Sequence, residues 1–209
     1  MFSGYILVGG KSSRMKTNKA QLKLAKKTLS EHAVSSLSQL ASNQIKFVTN
    51  EENQAETNQL LSLHIPRISD EFPERAALGG IYTALADSQS KWTIILACDY
   101  PFVTEDLIAQ LAEVAKKAEE TISAVVPIQP EGFIQPLCAF YRTSVCLKTA
   151  RELINQKEIQ SARRLAEEVK TQWVSFKELK QLKNSKNFFL NINTKEDYLK
   201  AKKIFDKYS

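Results

Sequence analysis

The sequence predicts an α/β protein with a mostly parallel sheet, and three observations carry that prediction. Short runs of β-branched and aromatic residues, clearest in Gly4–Val8 and Trp92–Ala97, alternate with longer runs whose apolar residues recur at helical spacing. The helical runs are long enough to serve as right-handed crossovers, which bring each strand back parallel to the one before. No Gly/Ser/Pro-rich linker divides the chain, so one continuous domain over residues 1–209 is expected.

Gly4–Val8 reads as the first buried strand, and Leu29–Ala41 as a helix. Gln44–Thr49 (QIKFVT) is a second strand and Asn53–Leu63 a second helix. His64–Ser69 (HIPRIS) is a short strand that Pro66 assigns to an edge. Leu78–Ala86 is helical, and Trp92–Ala97 (WTIILA) is a strongly buried strand. Thr104–Glu120 is an amphipathic helix, with Thr104 as N-cap and Leu107, Ile108, Leu111 and Val114 on one face. Ile122–Pro127 (ISAVVP) is another strand. From Pro130 the pattern changes. PEGFIQPLCAFYR predicts two short strands around a turn, followed by helices over Ser144–Gln156 and Ser161–Glu168. A strand near Gln172–Phe176 and a closing helix from Thr194 complete the chain.

Composition narrows the function classes. At 209 residues and 43% hydrophobic, the chain can bury a substantial core. No run approaches the roughly 18–20 apolar residues that a membrane span needs, and MFSGYILVGG lacks the basic start of a signal peptide. Cys98, Cys138 and Cys146, with only His32 and His64, show no metal-ligand spacing, and a reducing cytoplasm fits them. The net charge of +6 is spread through helical segments such as Lys177–Lys186 and Lys195–Lys207, where acids are mixed in. No stripe of aromatics interleaved with basic residues marks a nucleic-acid groove. A phosphate-rich small ligand is compatible with the excess.

The stretch Ile6–Lys19, ILVGGKSSRMKTNK, contains Gly-Lys-Ser but is not the phosphate loop of an ATPase. That loop needs a glycine at position 5, which is Tyr5 here. The three-glycine dinucleotide pattern fails as well, since no third glycine follows near Arg14. What remains is a strand ending in Gly9-Gly10 and a loop carrying Lys11, Arg14, Lys16 and Lys19, which offers side-chain cations to phosphates. In an open parallel sheet, ligands bind beyond the carboxyl ends of the strands. Gly9, Gly10 and the basic loop fall there, with Asn50 after the second strand, Asp70 after the third and Asp99 after WTIILA. An aspartate behind a buried strand needs a partner. Mg²⁺ shared with phosphates is one; capping the turn before Pro101, or the helix near Thr104, is the other reading. Gly79-Gly80 is open to two readings also, an anion-facing helix start and close packing of the helix on the sheet.

These pieces resemble one known family. LVGGKSSRMKTNK (Leu7–Lys19) looks like the Leu-x-Gly-Gly-x-Ser-x-Arg-Met-Gly-x-Asp-Lys signature of the molybdenum cofactor guanylyltransferases (MobA-type). ALGGIYTAL resembles that family's Gly-Pro-Leu-Ala-Gly-Ile motif, and ACDYPFVTEDLI its Cys-Asp-x-Pro-Phe segment. FIQPLCAFYR and NINTKEDY resemble two later motifs, and all keep the family's order over nearly the whole chain. The resemblance implies a three-layer α/β sandwich with a mostly parallel sheet, a Rossmann-like nucleotidyltransferase fold. It implies GTP and molybdopterin as substrates, Mg²⁺ as cofactor, and a molybdoenzyme or cofactor-delivery protein as recipient. Position by position, Leu7, Val8 and Gly9 would lie along the guanine, Lys19 would touch the triphosphate and Asp70 would hold the guanosine. Asp99 would bind Mg²⁺, and Asn191 and Asn193 would face the pterin. A phosphate nucleophile is already ionised, so catalysis by Lys19, Arg14 and the metal at Asp99 consists of positioning two anions and screening their repulsion.

The chain departs from the family pattern at Lys16 (glycine), Asn18 (aspartate) and Ala76-Ala77 (Gly-Pro). A related transferase using CTP or another acceptor, and a non-catalytic nucleotide- or cofactor-binding protein, are the alternatives.

Overall fold

The computed structural model describes residues 2–8, 22–41, 44–50 and 63–208. Strand β1 (Phe2–Val8) is followed by a small antiparallel pair, β2 (Lys23–Leu24) and β3 (Lys27–Thr28), and by helix α1 (Leu29–Ala41). Then come β4 (Ile45–Thr49), β5 (Arg67–Ser69), α2 (Ala76–Asp87), β6 (Trp92–Ala97) and α3 (Glu105–Lys117). The second half runs β7 (Ala124–Pro127), β8 (Cys138–Arg142), α4 (Thr143–Ile154), α5 (Ala162–Glu168), β9 (Thr171–Val174), α6 (Phe176–Leu179) and α7 (Lys195–Tyr208).

Seven strands form one sheet in the order β5-β4-β1-β6-β8-β7-β9. All run the same way except β8, which is antiparallel to both β6 and β7. The mostly parallel expectation therefore holds, with one reversed strand. Its cause is local: no helix intervenes between Pro127 and Cys138, so the chain returns without a crossover. Of the two short strands expected in PEGFIQPLCAFYR, the first is reduced to a single bridge between Ile128 and Ile134. The β2–β3 pair was not foreseen; its turn places Ala25 at φ 56°, a conformation that alanine gives no reason to expect. The helix expected over Asn53–Leu63 falls almost wholly outside the described residues.

Strands buried on both faces explain the near-continuous apolar runs. On one face Phe2, Ile6, Val8, Ile94 and Leu96 pack against α1 and α3; on the other Tyr5, Val48, Ile95 and Tyr141 pack against α2, α4 and α5. A third, smaller cluster joins Leu24, Leu29, Phe102, Ile192 and Ala201. It fastens α7 and the β2–β3 pair to the loop after β6. The Thr104 cap is present as expected, its hydroxyl accepting from the Leu107 amide at 3.3 Å. Among the described residues no helix is long and apolar enough to cross a membrane.

Candidate active site

The sheet order creates a switch point. From β1 the chain goes one way, through α1 to β4 and then β5; from β5 it returns through α2 to β6, on the other side of β1. The crevice outside the carboxyl ends of β1 and β6 is where such sheets hold ligands. Asp99 stands there. The Cys98 amide donates to the Leu7 carbonyl at 3.1 Å, which carries the β1–β6 ladder one residue past Ala97. The Tyr100 amide then turns back to the Ala97 carbonyl at 3.4 Å, so Asp99 sits in a tight turn at the mouth of the crevice.

The distant NINT segment meets the same turn. The Ile192 amide donates to the Asp99 carbonyl at 3.0 Å, and Ile192 is buried in the cluster that also holds Phe102. Asn191 and Asn193 thus flank a residue anchored on Asp99. The segment is hydrogen-bonded on its other side as well. Asp197 accepts from the amides of Asn193 (3.0 Å) and Thr194 (2.8 Å), while its own amide donates to the Thr194 hydroxyl at 3.1 Å. These bonds hold the Asp197 carboxyl below its ordinary value, against the opposing effect of partial burial.

Asp70 forms the other wall. Its amide donates to the Thr49 carbonyl at 2.8 Å, prolonging the β4–β5 pairing. Its Oδ1 accepts from the Phe72 amide (2.9 Å) and the Thr83 hydroxyl (3.3 Å), and that hydroxyl accepts from the Glu71 amide at 2.9 Å. Helix α2 comes close enough for this chiefly because Gly79 carries no side chain. A Cβ on Gly79 would overlap the Phe72 carbonyl oxygen and stand 3.1 Å from Asp70 Oδ1; one on Gly80 would meet Leu7 Cδ2 at 3.3 Å and Asp70 Oδ2 at 3.6 Å. Of the two readings of Gly79-Gly80, close packing is the one observed. The turn is packed against a carboxylate, which would repel an external anion.

Burial pushes the Asp70 carboxyl above its ordinary value, outweighing the bonds from Phe72 and Thr83. A raised carboxyl stabilises the fold below the unfolded value of 3.8, and that contribution is lost as pH rises through the folded value. Ionised Asp70 is therefore a net cost at neutral pH. Asp70→Asn, which keeps an oxygen for Phe72 and Thr83, should raise the melting temperature of the ligand-free protein at pH 7. The gain should shrink toward pH 4, and nucleotide affinity should fall; melting curves of both proteins across this pH range check it.

A second feature of this wall is strained. Ala76, the first residue of α2, sits at φ 51°, ψ −141°, a region natural to glycine. It stands where the resembling motif has glycine. Relief of such strain is worth about 1–3 kcal/mol, and the added freedom of the unfolded chain takes back about 0.4–1 kcal/mol. Ala76→Gly should therefore stabilise the protein by about 1 kcal/mol, read as a higher midpoint in urea at unchanged slope.

Leu7, Val8, Asn50, Asp70, Asp99, Asn191 and Asn193 all lie at strand ends or loops on this one edge of the sheet. Leu7 and Asp70 converge beside Gly80, and Asp99 meets the Asn191–Asn193 segment. Gly9, Gly10, Arg14 and Lys19, with Lys16 and Asn18, lie outside the described residues. Cys98, Cys138 and Cys146 are buried. Burial raises the thiols of Cys138 and Cys146 to about 12, so neither is a nucleophile. A cleft of about 250 Å³ opens on the far side of the Pro101–Glu105 loop, between α1 and α7, with Phe102 and Phe205 among its walls. Among the described residues, none of the site candidates lines it. Sequence reasoning missed the tie between Tyr100 and Gln135, whose side chains bond at 2.9 Å.

Residues 4–172 match the family model of the MobA-like NTP transferase domain. A probable molybdenum cofactor guanylyltransferase from Carboxydothermus hydrogenoformans is 34% identical over 96% of this chain and 94% of its own. The molybdenum cofactor guanylyltransferase of Campylobacter jejuni subsp. doylei is 28% identical over 94% of this chain and 93% of its own. The crystal structure of molybdopterin-guanine dinucleotide biosynthesis protein A from Archaeoglobus fulgidus superposes with a TM-score of 0.80 at 26% identity, covering 99% of this chain and all of that one. With the sheet, its switch point and these matches in agreement, the chain belongs to the MobA-like NTP transferase family of nucleotidyltransferases.

Proposed function

We propose that this enzyme transfers GMP from GTP to the phosphate of molybdopterin, forming the guanine dinucleotide cofactor and releasing pyrophosphate. The near full-length match to relatives named molybdenum cofactor guanylyltransferase is the observation that carries this reading. An oxygen of the molybdopterin phosphate attacks the α-phosphorus of GTP, and the bond from that phosphorus to the β-phosphate bridging oxygen breaks. The nucleophile arrives ionised, so the chain needs no general base.

The work left for the protein is positioning and screening. Leu7, Val8 and Gly9 would follow the base with main-chain groups. Asp70, costly in the empty protein, would accept from donors of the guanosine. Lys19 and Arg14 would hold phosphate oxygens, with Gly10 and Asn50 at the border of the nucleotide site. Asn191 and Asn193 would face the pterin. Mg²⁺ fits the donor set: it takes one or two carboxylates and completes its shell with phosphate oxygens and water. Among the described residues no three His, Cys, Asp or Glu side chains form a closed cage, so the ion would rest on Asp99 and the substrate. When bound, it would draw charge from the reacting phosphates. The cytoplasm would be the place of action, with a molybdoenzyme or a cofactor-delivery protein as recipient.

Thermal stabilisation by GTP, CTP and ATP, each with and without Mg²⁺, tests the reading. A ligand that binds only the folded state adds about 2.7 kcal/mol at roughly a hundredfold excess over its Kd. Stabilisation by GTP alone, enlarged by Mg²⁺, followed by turnover with molybdopterin, is the expected result. Stabilisation by CTP instead would transfer the assignment to a cytidylyl enzyme. No shift with any of the three would leave a non-catalytic binder.

A further inference from the structure

Gln135 carries a buried side-chain donor that nothing among the described residues accepts from. It lies between β7 and β8, only 6% exposed, at the edge of the sheet where Asp99 emerges. Its main chain is pinned: the amide donates to the Pro127 carbonyl at 2.9 Å, and its carbonyl accepts from Cys138 at 3.1 Å. Its side-chain Oε1 accepts from the Tyr100 hydroxyl at 2.9 Å. Tyr100, adjacent to Asp99 in the chain, is buried too. With Oε1 on the Tyr100 hydroxyl, Nε2 is turned away from it. Among the described residues nothing accepts from Nε2. A buried donor left unmade is destabilising, and native structures rarely keep one without a use.

The sheet order says which substrate this donor can reach. Leu7 and Asp70 lie on the β1 and β5 side of Asp99. Gln135 lies on the opposite side, where the Ala97 amide donates to the Leu137 carbonyl at 2.8 Å and β8 begins. A nucleotide held by Leu7 and Asp70 with its phosphates at Asp99 leaves the β8 side for the molecule that receives the nucleotidyl group. We propose that Gln135 is a specificity residue for that acceptor, donating from Nε2 to one of its oxygens while Tyr100 holds the amide in place. This rests on the transferase reading above; it adds a recognition contact that neither the strand-end pattern nor the resemblance assigned.

Gln135→Met, the double variant Tyr100→Phe/Gln135→Met, and Gln135→Glu test it together. The double variant removes both partners of the bond, so an apolar pair replaces a half-satisfied polar one. Its melting temperature should equal or exceed that of the wild type, while Kd and KM for molybdopterin rise about tenfold or more. Affinity for GTP with Mg²⁺ should stay within about twofold of wild type. Gln135→Glu keeps an acceptor for Tyr100 but presents an oxygen where the donor was, and should weaken molybdopterin binding further. Unchanged molybdopterin binding in all three variants would overturn the proposal, as would a loss confined to GTP. A double variant that melts several degrees lower would overturn it as well, since the pair would then be structural. The melting comparison needs no substrate, so it can fail while the guanylyltransferase assignment stands, and the nucleotide shifts can fail while it succeeds.

Discussion

Asp99→Asn is expected to lower nucleotidyl transfer about a thousandfold or more, which is about 4 kcal/mol of transition-state stabilisation, with little change in melting temperature. The substitution keeps size and hydrogen-bonding capacity, so the turn can persist. Its main-chain anchors, the Tyr100 amide on Ala97 and the Ile192 amide on the Asp99 carbonyl, do not involve the carboxylate. What it removes is the charge that would hold Mg²⁺ against the phosphates. Stabilisation by GTP should therefore lose its dependence on Mg²⁺ and keep whatever part is independent of the metal. The alternative role, capping the turn before Pro101, predicts the reverse: a lower melting temperature and normal turnover per folded molecule. Steady-state rates against Mg²⁺ concentration, measured beside melting curves, separate the two.

Asp99 was legible as a candidate because a charged residue directly after seven buried residues, 92–98, has few innocent explanations. Asp70 was legible by its place after a strand. The bonds that hold it were not, since they join Phe72 and Thr83 through a helix packing that no local pattern encodes. Thr104 announced its helix because capping is local chemistry. The position of β8 between β6 and β7 was hidden for the opposite reason. PLCAFYR reads as a strand, but where a strand inserts depends on which edges the rest of the sheet leaves open. Gln135 shows the same limit: its partner Tyr100 lies on another loop, and only the fold brings the two together. The sequence motif around Ala76 signalled a missing glycine, and the backbone at φ 51° gives that signal its physical meaning.

Gly79 and Gly80 look equivalent in sequence and should behave very differently. In a helix each glycine-to-alanine change gains about 1 kcal/mol of propensity. At Gly80 the new methyl meets the end of the flexible Leu7 side chain, which can rotate aside, so Gly80→Ala should be neutral to slightly stabilising. At Gly79 it overlaps the Phe72 carbonyl oxygen, which belongs to a turn already closed by the Arg75 amide at 2.9 Å. No side-chain rotation relieves that overlap. Either the start of α2 or the Asp70–Arg75 turn must move, at a net cost of about 1–3 kcal/mol, as for other overpacked sites. Because the Phe72 amide also holds Asp70 Oδ1, the displacement reaches the carboxylate proposed to hold the guanosine. Gly79→Ala should thus combine a lower urea midpoint with about tenfold weaker GTP binding, whereas Gly80→Ala should change neither greatly. If the Gly79 variant bound GTP normally despite its lower stability, Asp70 would be positioned by something other than the packing of α2. If Gly80→Ala alone lost GTP, the open first turn of the helix, rather than the carboxylate packed on it, would be the nucleotide contact.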